Sequence, residues 1–185
     1  NESGTDSWGF KIDTSPPLVY ITYPENNSYF STDDITEIVW EGNDGNGSGI
    51  NYYQSKIDNS SWQNEGSNTS KELENLSEGI HTFSVKAIDY VNYTSEIKEV
   101  EFTIDLTPPP SPSELSWDSS PYSIDSEITA QWGEPNDNLS GIVGYHIQIS
   151  TSAELADTLV ENSSIMITEY TYSDGENNII YYFRT

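Results

Sequence analysis

The residues of this chain that could do chemistry are mainly carboxylates. Among 185 residues, 31 are acidic, six are basic, two are histidine and none is cysteine, which excludes disulfides and a thiol nucleophile. The run Asp44-Gly-Asn46-Gly-Ser48 places oxygen-bearing side chains at alternate positions, as the start of an EF-hand loop does. Ser55 stands where that loop needs its closing glutamate, so the run is not an EF-hand. It is nevertheless a candidate ligand for calcium.

Neither histidine is placed for catalysis. His81 and His146 both fall within alternating strand patterns rather than in loops, so we expect a partly buried structural residue and a surface residue, respectively. The two do not have the spacing of zinc ligands. Paired carboxylates could hydrolyse glycosides, but acids are so common here that proximity in sequence means little. We therefore expect the chain not to be an enzyme.

The formal net charge of −25 indicates which partners are disfavoured. Nucleic acids and anionic lipid surfaces are bound through clusters of Lys and Arg, which this chain lacks. No run of 18 apolar residues is present, so we expect no membrane insertion in this segment. The excess of acidic residues has two interpretations. It could serve solvation and mutual repulsion of a surface protein, or a few of the carboxylates could bind divalent cations.

Asn-x-Ser/Thr sequences, the acceptors of N-linked glycans, are unusually frequent. A loop composition rich in Ser and Asn is one explanation of this frequency. Glycosylation of an extracellular protein is the other, and we favour it. The nine acceptors are Asn1, Asn26, Asn46, Asn59, Asn68, Asn75, Asn92, Asn138 and Asn162.

An internal repeat organises the chain. The segment Phe10-Lys-Ile-Asp13-Thr-Ser-Pro-Pro returns 92 residues later as Phe102-Thr-Ile-Asp105-Leu-Thr-Pro-Pro. The same offset aligns Trp40 with Trp132, and a period of this size indicates tandem globular modules. Consecutive prolines make a short, semi-rigid linker, so we expect the modules to be held in line.

The repeat predicts three parts. Residues 1–15 are the last strand and linker of a preceding module, residues 16–106 are one module, and residues 107–185 are a second module that lacks about twenty residues at its end. Alternating apolar residues predict short strands with turns every eight to twelve residues. The run at 70–76 favours a strand over a helical turn, whereas residues 151–166 are predicted to include a helical turn.

The order of these features resembles fibronectin type III and related immunoglobulin-like repeats of prokaryotic surface proteins. The resemblance rests on Trp40 in the second strand, Tyr53 in the third, and an alternating strand that ends at Asp89. It implies an all-β chain of tandem seven-stranded antiparallel β-sandwiches. Two residues depart from the family pattern: His81 replaces the tyrosine of the corner motif, and Asn92 replaces a loop glycine.

The resemblance also implies where the acids meet. In such a sandwich the incoming linker and two of the loops gather at one pole, which would unite Asp13, Asp44 and Asp89. Asp105 with Asn136 or Asp137 would be the partial equivalent in the second module. We expect calcium at these sites to stiffen the joints. The competing interpretation is that these residues only form turns, and a sugar on Asn46 would remove that residue as a ligand.

Two functions follow as hypotheses. The first is a structural module of a glycosylated extracellular surface protein, a stalk, surface layer or filament, whose partners are neighbouring modules and further copies of itself. The alternative is a carbohydrate-binding, cell-binding or spacer module of an extracellular enzyme or adhesin. Exposed aromatic residues would then contact polysaccharide, and the candidates are Trp8, Trp62 and Trp117.

Overall fold

The computed structural model describes residues 9–33, 35–117 and 126–185, and the chain divides into two compact units, 1–106 and 107–185. Within the described residues every regular element is a β-strand. None of these residues forms a helix long and apolar enough to cross a membrane. Residues 9–12, predicted to end a strand, have no strand structure, and the rest of that predicted strand lies outside the described residues.

The first unit contains two sheets. One has the order β1-β3-β6 and the other the order β2-β8-β7-β4-β5. The predicted strand at 70–76 is present as β6. The strands are β1 (Leu18–Tyr23), β2 (Ser28–Phe30), β3 (Ile35–Asn43), β4 (Ile50–Ile57), β5 (Gln63–Gly66), β6 (Ser70–Leu73), β7 (Gly79–Asp89) and β8 (Lys98–Ile104).

Alternation along the strands builds the core of this unit. In β7, His81, Phe83, Val85 and Ala87 are buried, as their spacing of two residues predicts. Inward residues of both sheets join a single apolar cluster, so the sheets pack face to face as a sandwich. Trp40, 1% exposed, lies in this cluster, which confirms its predicted core position.

One strand departs from the predicted seven-stranded antiparallel arrangement. β2 is an additional, eighth strand and it pairs parallel with β8, from Ser28 opposite Phe102 to Phe30 opposite Ile104. The pairing is extended by a backbone hydrogen bond of 2.9 Å from the Asp105 amide to the Phe30 carbonyl. The turn residues that follow β1 therefore carry the chain from one sheet to the other.

The second unit repeats the arrangement with six described strands. Its sheets have the orders β13-β10-β9 and β12-β11-β14. Trp132, 4% exposed, occupies its core together with Ile147 and Ile149, which confirms the predicted position of this tryptophan. The strands are β9 (Ser113–Trp117), β10 (Ile128–Gly133), β11 (Tyr145–Ser150), β12 (Thr158–Ile165), β13 (Glu169–Tyr172) and β14 (Tyr182–Arg184).

The predicted helical turn in this unit is wrong. Residues 151–157 form turns and bends, and the strand β12 follows at Thr158. Leu155 has a φ of 57°, a left-handed conformation that interrupts a right-handed helix. The run Ala153–Asp157 is also shorter than an isolated helix requires.

Candidate metal centre

Three aspartates from three separate segments meet at one pole of the first unit. Asp13 lies in the segment before β1, which we call the leading segment (residues 9–17). Asp44 begins the loop between β3 and β4, and Asp89 is the last residue of β7. One carboxylate oxygen of each lies within 4.8 Å of the others. The structure thus brings together the three acids that the sequence predicted to meet.

The loop after β3 is shaped by glycines. Gly45 and Gly49 have φ values of 53° and 94°, conformations in which residues with a side chain are strained. The Gly47 amide donates to the Asp44 carbonyl at 2.7 Å and closes a turn. The Gly49 amide then donates to Asp44 Oδ2 at 2.6 Å, which holds this carboxylate in the cluster.

Asp89 is a buried carboxylate with one oxygen satisfied. Its Oδ1 accepts hydrogen bonds from the amides of Val91 at 2.9 Å and Tyr93 at 2.8 Å. Asn92, between these donors, has a φ of 70°, the left-handed conformation expected where the family has glycine. Asp89 itself is 0% exposed, and its Oδ2 has no hydrogen-bond partner. Native proteins rarely leave a buried polar atom uncompensated in this way.

Asp13 ties the leading segment to the loop. Its Oδ2 accepts from the Ser48 amide at 2.6 Å and its Oδ1 from the Ser15 amide at 3.1 Å. Hydrogen bonds from Ser48 and Ser15 lower the pKa of the Asp13 carboxyl, so that it is ionised at neutral pH. Nearby, Lys11 donates to the Gly47 carbonyl at 2.6 Å. Lys11 carries no sequence signal that marks it for this site.

The remaining predicted ligands are placed differently. Asp105 is buried in the first unit, whereas Asn136 and Asp137 belong to the second. Asp137 Oδ1 accepts from the amides of Leu139 and Ser140, so its oxygens serve its own turn. In the described ranges only Asp13, Asp44 and Asp89 form a group of three potential metal ligands, and Asn46 is exposed.

His81 is held by an acceptor on each side of its ring. Nδ1 lies 2.8 Å from Asp58 Oδ2, and Nε2 lies 2.8 Å from the carbonyl oxygen of Ser77. Both partners are acceptors, an arrangement that favours the doubly protonated imidazolium form of the ring. The bond to Ser77, four residues upstream, takes the place of the hydroxyl bond of a tyrosine corner. His81 is 6% exposed, which confirms that this histidine is buried, as its place in the alternating strand predicted.

We expect the first unit to lose stability as pH rises through the pKa of His81. Burial alone would lower this pKa, but the hydrogen bonds to Ser77 and Asp58 and the charge of Asp58 together raise it. A histidine whose pKa is raised in the folded state stabilises the fold when it is protonated. This stabilisation is complete at pH values below about 6.5, the ordinary pKa of histidine, and is lost as the pH rises above the raised pKa. Unfolding by urea should be measured from pH 6 to 9 for the native chain and His81→Tyr. A constant difference between the two proteins over this range would contradict the imidazolium.

The glycan acceptors lie at the surface. Every acceptor in the described residues is exposed except Asn162, which is half-buried, and Asn1 lies outside them. The exposed acceptors include Asn75, which has a φ of 56°, and Asn59, in the turn after β4. Each of these side chains could carry a sugar without disturbing a core.

The tryptophans proposed for sugar stacking are partly covered. Trp62 is half-buried, and the ammonium groups of Lys86 and Lys56 lie 4.3 and 5.4 Å from the centre of its indole ring. Trp117 packs edge-to-face against Phe183, with ring centroids 4.8 Å apart. Trp8 lies outside the described residues. A free aromatic platform is therefore not present at Trp62.

The strand order defines the class of each unit. In the first unit β1, β3 and β6 form one sheet, and β4, β5, β7 and β8 lie in the other, which β2 extends. In the second unit β9, β10 and β13 form one sheet and β11, β12 and β14 the other. This is the strand order of β-sandwiches of the fibronectin type III and immunoglobulin-like class. No protein-family model matches the sequence, and no curated protein does.

Solved structures with a similar fold include fibronectin(III)-like modules of Clostridium thermocellum CbhA, with 22% identity, a TM-score of 0.39, and coverage of 48% of this chain and 97% of that one. The FN1–FN3 domains of chicken CNTN1 have 16% identity and a TM-score of 0.45, over 91% and 59%. Apo β-glucuronidase 3 of Bacteroides uniformis has 13% identity and a TM-score of 0.37, over 92% and 22%. Likeness at this level carries no statement about function.

Proposed function

We propose that this chain is a structural part of an extracellular multi-domain surface protein, in which glycosylated β-sandwich modules follow one another through short proline-containing segments. The observation that carries the proposal is the fastening of the leading segment to the first sandwich. Lys11 and Asp13 both bond to the loop after β3, and Pro17 is buried. A segment held in this way fixes the orientation of the chain that enters the sandwich, which a freely jointed tether cannot do.

The state of the two histidines supports a structural role over a catalytic one. Both nitrogens of His81 have hydrogen-bond partners within the fold, so neither is directed at a substrate as the nitrogen of a general base would be. His146 is exposed and pairs with Glu161, with Nε2 3.2 Å from Oε1. A side-chain contact of this kind at the surface of a strand is a common structural feature and needs no catalytic explanation.

The surface chemistry supports an extracellular location. Exposed acceptors on the described strands and turns would place a hydrophilic coat over the sandwich edges, and such a coat hinders sideways strand pairing between copies. The charge of −25 acts in the same direction by mutual repulsion. Ordered assembly into a stalk, surface layer or filament would then proceed through the module poles.

The fragment of the natively produced protein that corresponds to these residues should therefore be heavier than the 20.7 kDa of the unmodified polypeptide. Glycopeptide mass spectrometry should assign sugars to exposed acceptors such as Asn59, Asn75 and Asn138. Electron microscopy of the native assembly should show a rod or lattice with one bead for about 92 residues, the spacing of Phe10 and Phe102. Unmodified asparagines throughout, or a single compact globule, would contradict the proposal.

The second candidate, a carbohydrate-binding module, is favoured by one observation. Trp117 is 37% exposed although it contacts Phe183, so part of its indole remains open to a sugar ring. A glycan array with the native chain and Trp117→Ala tests this function, and Trp62→Ala serves as the comparison. A signal that is lost with Trp117→Ala and kept with Trp62→Ala would favour binding over a purely structural role.

A further inference from the structure

We propose that Asp13, Asp44 and Asp89 bind one calcium ion, and that the ion locks the leading segment onto the first sandwich. This inference goes beyond the structural role proposed above and does not require the protein to be at a cell surface. It rests on two independent observations. The three carboxylates converge within 4.8 Å, and the fully buried Asp89 has an oxygen that no other group satisfies.

The hydrogen-bond partners of the three carboxylates are neutral, and the charge of Lys11 acts on Asp13 without forming an ion pair. Five contacts to these carboxylates come from backbone amides, namely those of Ser15, Ser48, Gly49, Val91 and Tyr93. No ion pair in the described part of the chain includes any of the three aspartates.

Two oxygens in the cluster remain available to a ligand. Besides Asp89 Oδ2, the Oδ1 atom of Asp44 is inaccessible to solvent and has no hydrogen-bond partner. Buried charges in proteins are normally paired with an opposite charge or coordinate a metal. A metal ion between the carboxylates would satisfy both oxygens and remove the mutual repulsion of three acids.

The donors select a hard cation. All three ligand side chains are carboxylates, and neither histidine nor cysteine belongs to the cluster, which disfavours zinc, copper and iron. Oxygens that share one Ca²⁺ at its usual bond length lie no more than about 5 Å apart. Calcium also tolerates the irregular geometry of ligands from a linker and two loops, whereas magnesium requires a near-ideal octahedron.

The leading segment is the element that the ion would control. Asp44 directly follows β3 and Asp89 is the last residue of β7, but Asp13 belongs to residues without strand structure. Without an ion, repulsion from the other two carboxylates opposes the hydrogen bond that the Ser48 backbone amide donates to Asp13. Calcium converts this repulsion into a shared attraction, so the leading segment should be held more firmly when the ion is bound than by its hydrogen bonds alone.

Calorimetric titration of the chelator-treated full chain with CaCl2 should show one binding site. At calcium concentrations 100-fold above Kd, the unfolding midpoint of the first unit should rise by about 10 °C or more, because the ion binds only the folded state. Asp44→Asn and Asp89→Asn should abolish both the binding heat and the shift. Asp137→Asn, a turn aspartate of the second unit, is the matched control and should retain both.

Asp89→Asn distinguishes a metal ligand from a residue that only holds its turn. Its amide oxygen can still accept from Val91 and Tyr93, so in EDTA the variant should unfold at or above the native midpoint because one repelling charge is gone. In calcium it should unfold below the native protein. An equal midpoint difference in both conditions, or no calcium shift in the native chain, would overturn the proposal.

A lysine-specific protease that does not need calcium gives a second readout. Cleavage after Lys11 should be at least about tenfold slower in CaCl2 than in EDTA for the native chain, and equal in both for Asp89→Asn. Equal rates for the native chain would overturn the locking of the leading segment even if calcium binds. A compact globule in electron microscopy would contradict the surface role but would leave these results unchanged.

Discussion

Replacing Trp40 by alanine should lower the free energy of unfolding of the first unit by about 3–5 kcal/mol, the range measured for large aromatic residues in cores. Its indole lies between Tyr53, edge-to-face at 6.0 Å, and Phe83 at 5.7 Å. These residues come from β3, β4 and β7, so the cavity would open between the two sheets. Partial collapse of such a cavity is limited by the strand pairing on either side.

Two other variants make the Trp40 prediction specific. Trp40 Nε1 is buried without a hydrogen-bond partner, so Trp40→Phe removes an unsatisfied donor with part of the ring and should cost about 1–2 kcal/mol. Trp132→Ala, the matched change in the other unit, should destabilise β10 and β11 instead. Hydrogen exchange by mass spectrometry measures each unit separately. Faster exchange of β10 and β11 in Trp40→Ala would contradict the expected confinement to one core.

Removing the charge of Lys71 should destabilise the first unit by about 2 kcal/mol, because the partly buried Glu65 carboxylate would lose its counter-charge. Lys71 Nζ lies 2.5 Å from Glu65 Oε1, and the two side chains are only 27% and 13% exposed. The same Glu65 oxygen accepts from the hydroxyl of Ser55, a fully buried residue. Lys71→Met would leave this acid with one neutral donor and no counter-charge.

A double-mutant cycle tests whether the loss of stability comes from leaving the Glu65 carboxylate without a counter-charge. Glu65→Gln keeps an oxygen that can accept from Ser55 but removes the charge. Combined with Lys71→Met, it should recover more than half of the loss that Lys71→Met causes alone, as measured by urea unfolding. Additive losses would show that packing of the lysine stem, rather than charge, determines the effect.

The general architecture was predictable because it depends on spacing. A fixed offset between Trp40 and Trp132 indicates repeated cores, and strict alternation through His81 and Phe83 indicates which face is buried. The meeting of Asp13 and Asp89 was predictable once the order of strands was known, since loops at the same end of a sandwich are neighbours. Binding of calcium there stays a prediction.

Other features depend on contacts between residues that no local pattern links. The bond from Lys11 to Gly47 joins positions 36 residues apart, and Ser55, Glu65 and Lys71 meet only when two sheets pack. The parallel pairing of β2 uses three residues, too few for a periodic signal. The turn at 151–157 appeared helical because its Ala and Leu residues favour helix, and tertiary structure overrides such preferences in short runs.

The parallel pairing of β2 with β8 has a consequence for how these two strands are loaded under tension. When a chain is pulled from both ends, the force enters near Pro17 and leaves near Leu106. Parallel neighbours are then drawn in opposite directions along their length, so the hydrogen bonds between Ser28–Phe30 and Phe102–Ile104 are sheared together. Antiparallel terminal strands would instead be peeled apart one bond at a time. Since β1 precedes β2 in the chain, this shear acts on the pairing after β1 has separated from β3. We therefore expect the three-residue pairing to break as one unit rather than bond by bond.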